Sequence, residues 1–273
     1  MKKNSILRTT ASLAALAALT AIPQSSPAQS LIDQWNFNET SGTTAANSVG
    51  GGASATLMGN AAFNGSGSVR LDGTSGSYIN LPANALNALT AVTFDGWFSY
   101  SVPNNNVHLF SIDNGTGTGG TYLRFNISDT GNGNGGTNFL ENTGSPTIKL
   151  LGDQVLPQNQ LLDISVVYDP ANNYEAIYYN GTIESSYTGT LVALSSIPQT
   201  EFTLGKSPWS AYGDPYLNGT IDQFSVYDGA LSGSQIAANF AAGPTTVPEP
   251  SSIACGIVGG MALLGLYRRR HAR

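Results

Sequence analysis

The stretch Leu161-Leu162-Asp163-Ile164-Ser165-Val166-Val167-Tyr168-Asp169 decides the reading of this chain. Leu162, Ile164, Val166 and Tyr168 fall on one side of an extended backbone, and Asp163, Ser165 and Asp169 on the other. That period of two belongs to a strand with one side against a core. Farther along, residues 174–179 and the run from Thr182 flank Asn180-Gly181, a dipeptide that accepts the positive backbone angles of a tight hairpin turn. An antiparallel hairpin is expected there. Residues 91–100, 107–113, 201–205 and 216–228 repeat the theme as short runs rich in β-branched and aromatic residues, bounded by Gly, Asn, Ser and Thr. The pattern predicts an all-β, two-sheet antiparallel sandwich. One helix is expected: Ser232 is an N-cap with Gln235 three residues on, Ile236, Phe240 and Ala241 share a face, and Gly243 stops it. The Gly-, Asn- and Thr-rich stretches 115–120 and 129–138 read as exposed loops, either connectors or ligand-binding loops.

The two ends differ from this middle. Lys2, Lys3 and Arg8 precede an apolar run over residues 11–22, with small residues Ser26 and Ala28 beyond it. That order predicts a secretory signal peptide over residues 1–28. At the other end Val247-Pro248-Glu249-Pro250 leads into an uncharged run, residues 253–267, and then Arg268, Arg269 and Arg270. The run is short for a membrane span, and the arginines would stay on the cytoplasmic side. Pro248, Glu249, Pro250, the apolar segment and the arginine cluster together resemble the PEP-CTERM sorting signal, which implies an exosortase-type transpeptidase as partner and a transmembrane sorting helix before processing.

Residues 29–243 form the expected domain, followed by a linker and sorting segment over 244–273. The domain carries 16 acidic residues and four basic ones, Arg70, Arg124, Lys149 and Lys206. Nucleic acid is excluded as a partner, because phosphate binding needs clustered Lys and Arg. The single cysteine, Cys255, lies in the C-terminal apolar run, so no intrachain disulfide forms and the domain depends on its core.

Three blocks follow one another along the domain: Trp35 to Glu39 through Ser41-Gly42-Thr43 to Leu71-Asp72-Gly73; Val92-Thr93-Phe94-Asp95-Gly96-Trp97-Phe98; and Leu204-Gly205-Lys206 with Asn218 to Asp228. Together they resemble the LamG-like members of the concanavalin A-like lectin/glucanase superfamily. The resemblance implies a jelly-roll sandwich, and calcium as a common ligand, for which Asp72 and Asp222 are the candidate positions because carboxylates suit that ion. Asp222 is read as sharing the inward face of Phe224 and Val226. Where the family commonly has an acid after Ile-Asp, this chain has Gln223.

The superfamily includes hydrolases, which makes catalysis a competing expectation. The Glu-x-Asp-x-x-Glu pattern of the fold's glucanases is absent, and Glu175, Glu184 and Glu201 read as isolated surface charges. His108 is the domain's one histidine and reads as a structural residue of a strand, so a nucleophile with a histidine base is not supported. For ligand binding, Trp209, Tyr212, Asp214 and Tyr216 combine rings with a carboxylate between two strands. Such rings stack on sugar faces, and they also serve the edges of cores. The expectation is a non-catalytic module at the cell envelope or in an extracellular matrix, binding a polysaccharide or surface glycan. A glycoside hydrolase and a purely structural matrix protein are the competing readings.

Overall fold

The computed structural model describes residues 29–101, 106–116, 120–129, 137–144 and 147–245. The expected signal peptide, the sorting tail and the middles of both Gly-rich stretches lie outside them. In chain order the strands are β1 (Ser30–Trp35), β2 (Thr44–Ala45), β3 (Ala55–Met58), β4 (Ala62–Phe63), β5 (Val69–Asp72), β6 (Tyr78–Leu81), β7 (Val92–Tyr100) and β8 (Val107–Asp113). There follow β9 (Leu123–Ser128), β10 (Phe139–Asn142), β11 (Ile148–Leu151), β12 (Leu162–Asp169), β13 (Tyr174–Tyr179), β14 (Thr182–Thr188), β15 (Glu201–Leu204) and β16 (Asn218–Asp228). A single α-helix, α1 (Gly233–Ala242), closes the described chain. The six runs picked out by periodicity are β7, β8, β12, β13, β15 and β16, each within two residues of the expected ends.

Two eight-stranded antiparallel sheets face each other. The first runs β14-β13-β12-β7-β16-β5-β4, with β1 sharing the β5 side of β16; the second runs β11-β10-β9-β8-β15-β6-β3-β2. The core between them is built by alternation. Phe94 and Phe224 from the first sheet meet Phe110 and Phe202 from the second, with ring centroids 4.6 to 6.0 Å apart. Such tilted and edge-on pairs add about 1 kcal/mol each beyond the area they bury.

The hairpin between β13 and β14 turns where expected. Asn180 and Gly181 take φ of 47° and 74°. Gly181 is needed twice over, because a Cβ there would also sit 2.8 Å from the Cβ of Phe240. In β16 a bulge between Ile221 and Gln223 resets the alternation. Ile221, rather than Asp222, therefore shares the core with Phe224 and Val226, which corrects the inward placement expected for Asp222.

The helix lies on the outer face of the first sheet. Its capping box is formed as predicted, Ser232 N–H donating to Gln235 Oε1 at 2.9 Å and Gln235 N–H to Ser232 Oγ at 3.3 Å. Ile236 is buried against Val167, Ala176, Tyr178 and Leu231, a second small core outside the sandwich. Phe240 stacks flat on Trp97, 5.6 Å between centroids and 6° between planes. After the helix, the Thr245 N–H donates to Gln223 Oε1 at 2.8 Å, fixing the direction in which the chain leaves. No helix among the described residues is long and apolar enough to cross a membrane.

Candidate functional site

The two outer faces are unlike. On the second sheet Leu123, Phe125 and Ile127 of β9 point into the core, as do Leu140 of β10 and Leu150 of β11. Tyr122, just ahead of β9, and Arg124, Asn126, Phe139, Glu141 and Lys149 therefore occupy the opposite side. In register, Thr203, Ser111, Arg124, Glu141 and Lys149 form one continuous polar row across five strands.

Arg124 is the centre of this face and is only 8 % exposed. Its Nε donates to Glu141 Oε2 at 2.8 Å, its Nη2 reaches the same oxygen, and its Nη1 lies 3.0 Å from His108 Nε2. The guanidinium lies over the rings of Tyr122 and Phe139, 5.0 and 5.4 Å from their centroids. Burial and the neighbouring guanidinium hold His108 neutral, well below the usual imidazole range, so Nε2 accepts and Nδ1 carries the proton. That Nδ1 faces the Asn106 carbonyl without reaching hydrogen-bond geometry.

The aromatic loop expected from the sequence attaches to this network. Tyr122 Oη donates to Glu141 Oε2 at 3.1 Å, and the Trp209 side chain lies close to the Tyr122 phenol. Burial pushes the Tyr122 phenol up to about 12, so it stays protonated. Trp209 and Tyr212 meet edge to face at 5.9 Å, and Tyr212 is 67 % exposed. Asp214 Oδ1 accepts from Asn106 at 3.2 Å and its Oδ2 from Ser207 at 2.6 Å, so it braces the loop. Tyr216 packs on Tyr78 at 6.2 Å. The four loop residues thus sit together at the rim, while Arg124, Tyr122 and Glu141 were missed by motif reading. The signal was available in the alternation of residues 122–127, which places Arg124 between Tyr122 and Asn126 on a non-core face.

The candidate calcium positions are not brought together. Asp72 of β5 accepts from Thr74 N–H at 3.0 Å, Thr74 Oγ1 at 2.6 Å and Asn60 at 3.0 Å, and these bonds hold its carboxyl well below the usual carboxylate range. It lies opposite Asn218, four residues before Asp222 on β16, about 13 Å along a strand. Asp222 instead accepts from Thr220 at 3.2 Å. The two do not form a shared cation site, and no group of three acid, histidine or cysteine side chains among the described residues does.

The acids need correction too. Glu175 is fully buried between the sheets rather than at the surface, its carboxyl pushed up to about 7 by burial against one hydrogen bond from Asn142. Glu184 is also drawn in, accepting from Asn138 at 2.9 Å. Glu201 is not isolated: Asp113 is its direct cross-strand neighbour on the second sheet's outer face. Burial raises the Asp113 pKa and the Glu201 charge adds to it, while Glu201 is held by Lys206 at 2.6 Å.

A second convergence lies on the first sheet, where Asp95 of β7 and Asp163 of β12 are diagonal neighbours on adjacent strands beneath α1. Asp95 also accepts from Ser165 at 3.2 Å and lies 3.5 Å from Asn239 of the helix. Burial is the main cause raising both, to about 6 for Asp95 and about 8 for Asp163, with the Asp95 charge adding to the rise at Asp163. Both residues are essentially inaccessible.

Among solved structures, domain 4 of AbnA, a GH43 extracellular arabinanase from Geobacillus stearothermophilus in complex with arabinotriose, is similar with a TM-score of 0.63 at 21 % identity, covering 77 % of this chain and 98 % of that one. The CBM40 of the Ruminococcus gnavus IT-sialidase, bound to α2,3-sialyllactose, is similar with a TM-score of 0.53 at 16 % identity, covering 63 % and 94 %. The botulinum neurotoxin type G receptor-binding domain follows at 0.54 and 13 %, covering 78 % and 51 %. At these identities the likeness is one of fold. No curated protein sequence matches the chain. Residues 72–237, more than half of the chain, match the family described as the concanavalin A-like lectin/glucanases superfamily, to which this laminin G-like protein belongs.

Proposed function

We propose that the chain is an exported, non-catalytic module that binds glycan on the outer face of its second sheet. The observation that carries this reading is the ring pair of half-buried Trp209 and exposed Tyr212 beside the hydrogen-bonded group of Tyr122, Glu141, Arg124 and His108. It fixes aromatic faces at a rim above a rigid polar floor, the combination that recognises a sugar by stacking and oriented hydrogen bonds. The arabinotriose and sialyllactose complexes of proteins with this fold agree with a glycan as ligand. Export and exosortase processing rest on the terminal segments.

A glycoside hydrolase is the second reading, and the Asp113–Glu201 neighbours favour it. Retaining chemistry asks for two carboxylates about 5 Å apart, both reachable by substrate. Here Glu201 is engaged by Lys206, and Asp113 Oδ1 accepts from the Gly115 N–H at 2.6 Å, so both hold structure in place.

The test is a polysaccharide pull-down with product analysis, run with calcium and with chelator. Binding without cleavage, lost in Trp209→Ala and indifferent to chelator, is expected. Reducing sugar released by the wild type and abolished in Glu201→Gln would establish the hydrolase instead, and retention of the C-terminal arginines on the mature protein would remove exosortase processing.

A further inference from the structure

The charges of the second sheet's outer face narrow the ligand class. It carries three cations, and each is already engaged by a carboxylate. Arg124 directs Nε and Nη2 to Glu141 and Nη1 to His108. Lys149 Nζ donates to Asp129 at 2.8 Å and lies 3.8 Å from the Phe139 ring centroid. Lys206 Nζ donates to Glu201 at 2.6 Å, with the Tyr78 ring 5.0 Å away. The fourth basic residue, Arg70, is on β5 of the other sheet. Against these three cations stand Asp113, Asp129, Glu141, Glu201 and Asp214, and His108 is neutral.

We infer, resting on the binding face proposed above, that the ligand is an uncharged glycan, held by ring stacking and neutral hydrogen bonds, and that Glu141 is the residue that excludes acidic sugars. A carboxylated sugar reaching for Arg124 meets Glu141 on the guanidinium edge. Displacing it would leave that carboxylate largely desolvated, without its cation and with only the Tyr122 hydroxyl still donating to it, beside an incoming charge of the same sign. The rings of Tyr122 and Phe139 cover the guanidinium faces, so no second approach is open there. A neutral sugar displaces nothing and stacks at Trp209 and Tyr212. Specificity of this kind is a difference between two affinities, set here by a repulsive element built into the floor.

The experiment titrates the full-length chain by calorimetry with neutral oligosaccharides of arabinose, xylose, glucose and mannose, and with α2,3-sialyllactose and oligogalacturonate. Wild type, Trp209→Ala and Glu141→Gln are compared. Expected are binding confined to neutral members, affinity flat between about 0.05 and 0.5 M salt, and an anionic-to-neutral affinity ratio raised about tenfold or more in Glu141→Gln. If Glu141→Gln does not fold, the salt series on wild type decides. Tighter, salt-sensitive binding of an acidic member by wild type overturns the inference and leaves the binding face standing. An unchanged ratio in folded Glu141→Gln overturns the role of Glu141. Binding of no member, or binding indifferent to Trp209→Ala, overturns the face itself and the inference with it.

Discussion

The outer faces of the two sheets bury polar groups by opposite means. On the first sheet, Asp95 and Asp163 are sealed beneath a helix, their carboxyl pKa values raised chiefly by burial, with no ion pair to either among the described residues. On the second, every cation is matched by a carboxylate and laid against an aromatic ring. The first arrangement suppresses charge and the second balances it. Among the described residues, only the balanced face carries a largely exposed aromatic side chain, Tyr212, and the proposed binding site rests on that face for this reason.

The contrast is broken most directly by removing the cover. Ile236→Ala should cost about 3 kcal/mol, because the side chain is fully buried and the helix closes imperfectly over the gap. Thermal unfolding measures this, and glycan binding on the opposite face should survive in the protein that remains folded. Arg124→Met strikes the balanced face. It leaves Glu141 without its cation, at about 2 kcal/mol since the pair is partly solvated, and the double variant Arg124→Met/Glu141→Leu should recover much of that loss in a denaturant series.

The next effect tests suppression itself. Asp95 and Asp163 have folded-state pKa values above the unfolded ones, so the folded state holds more protons. Their contribution to stability is complete below about pH 4 and is lost as pH rises through about 8. Asp163→Asn should flatten that decline, gaining about 1 kcal/mol over wild type above pH 8. A wild-type and variant difference that does not change with pH would sink the account of two carboxyls kept protonated by burial. The smallest stability change is expected from Tyr212→Ala, under about 0.5 kcal/mol at so exposed a position, with binding weakened about fivefold by the lost ring.

Local pattern revealed the scaffold better than the site. The alternation of Leu162, Ile164, Val166 and Tyr168 and the Asn180-Gly181 turn are properties of neighbours in sequence, and they hold. The same alternation made Asp163 and Ser165 look solvent-facing, because nothing local indicates that α1, some 70 residues later, lands on them. Asp222 misled for a related reason: one bulge inverts a period of two. The rings of the 209–216 loop were visible as a cluster. Their floor was not, since His108, Arg124 and Glu141 come from three strands that meet only through register.

The order of the first sheet also sets a timetable. β16, which begins at Asn218, is the strand against which β7, β5 and β1 all pair, the last of these some 190 residues away in sequence. Contacts of such separation cannot form until nearly the whole chain is free to search for them, so closure of this sheet is a slow, late event. A chain that stops short of β16 leaves the edges of β7, β5 and β1 open. The first sheet of a nascent chain therefore stays incomplete until residues 218–228 have been made.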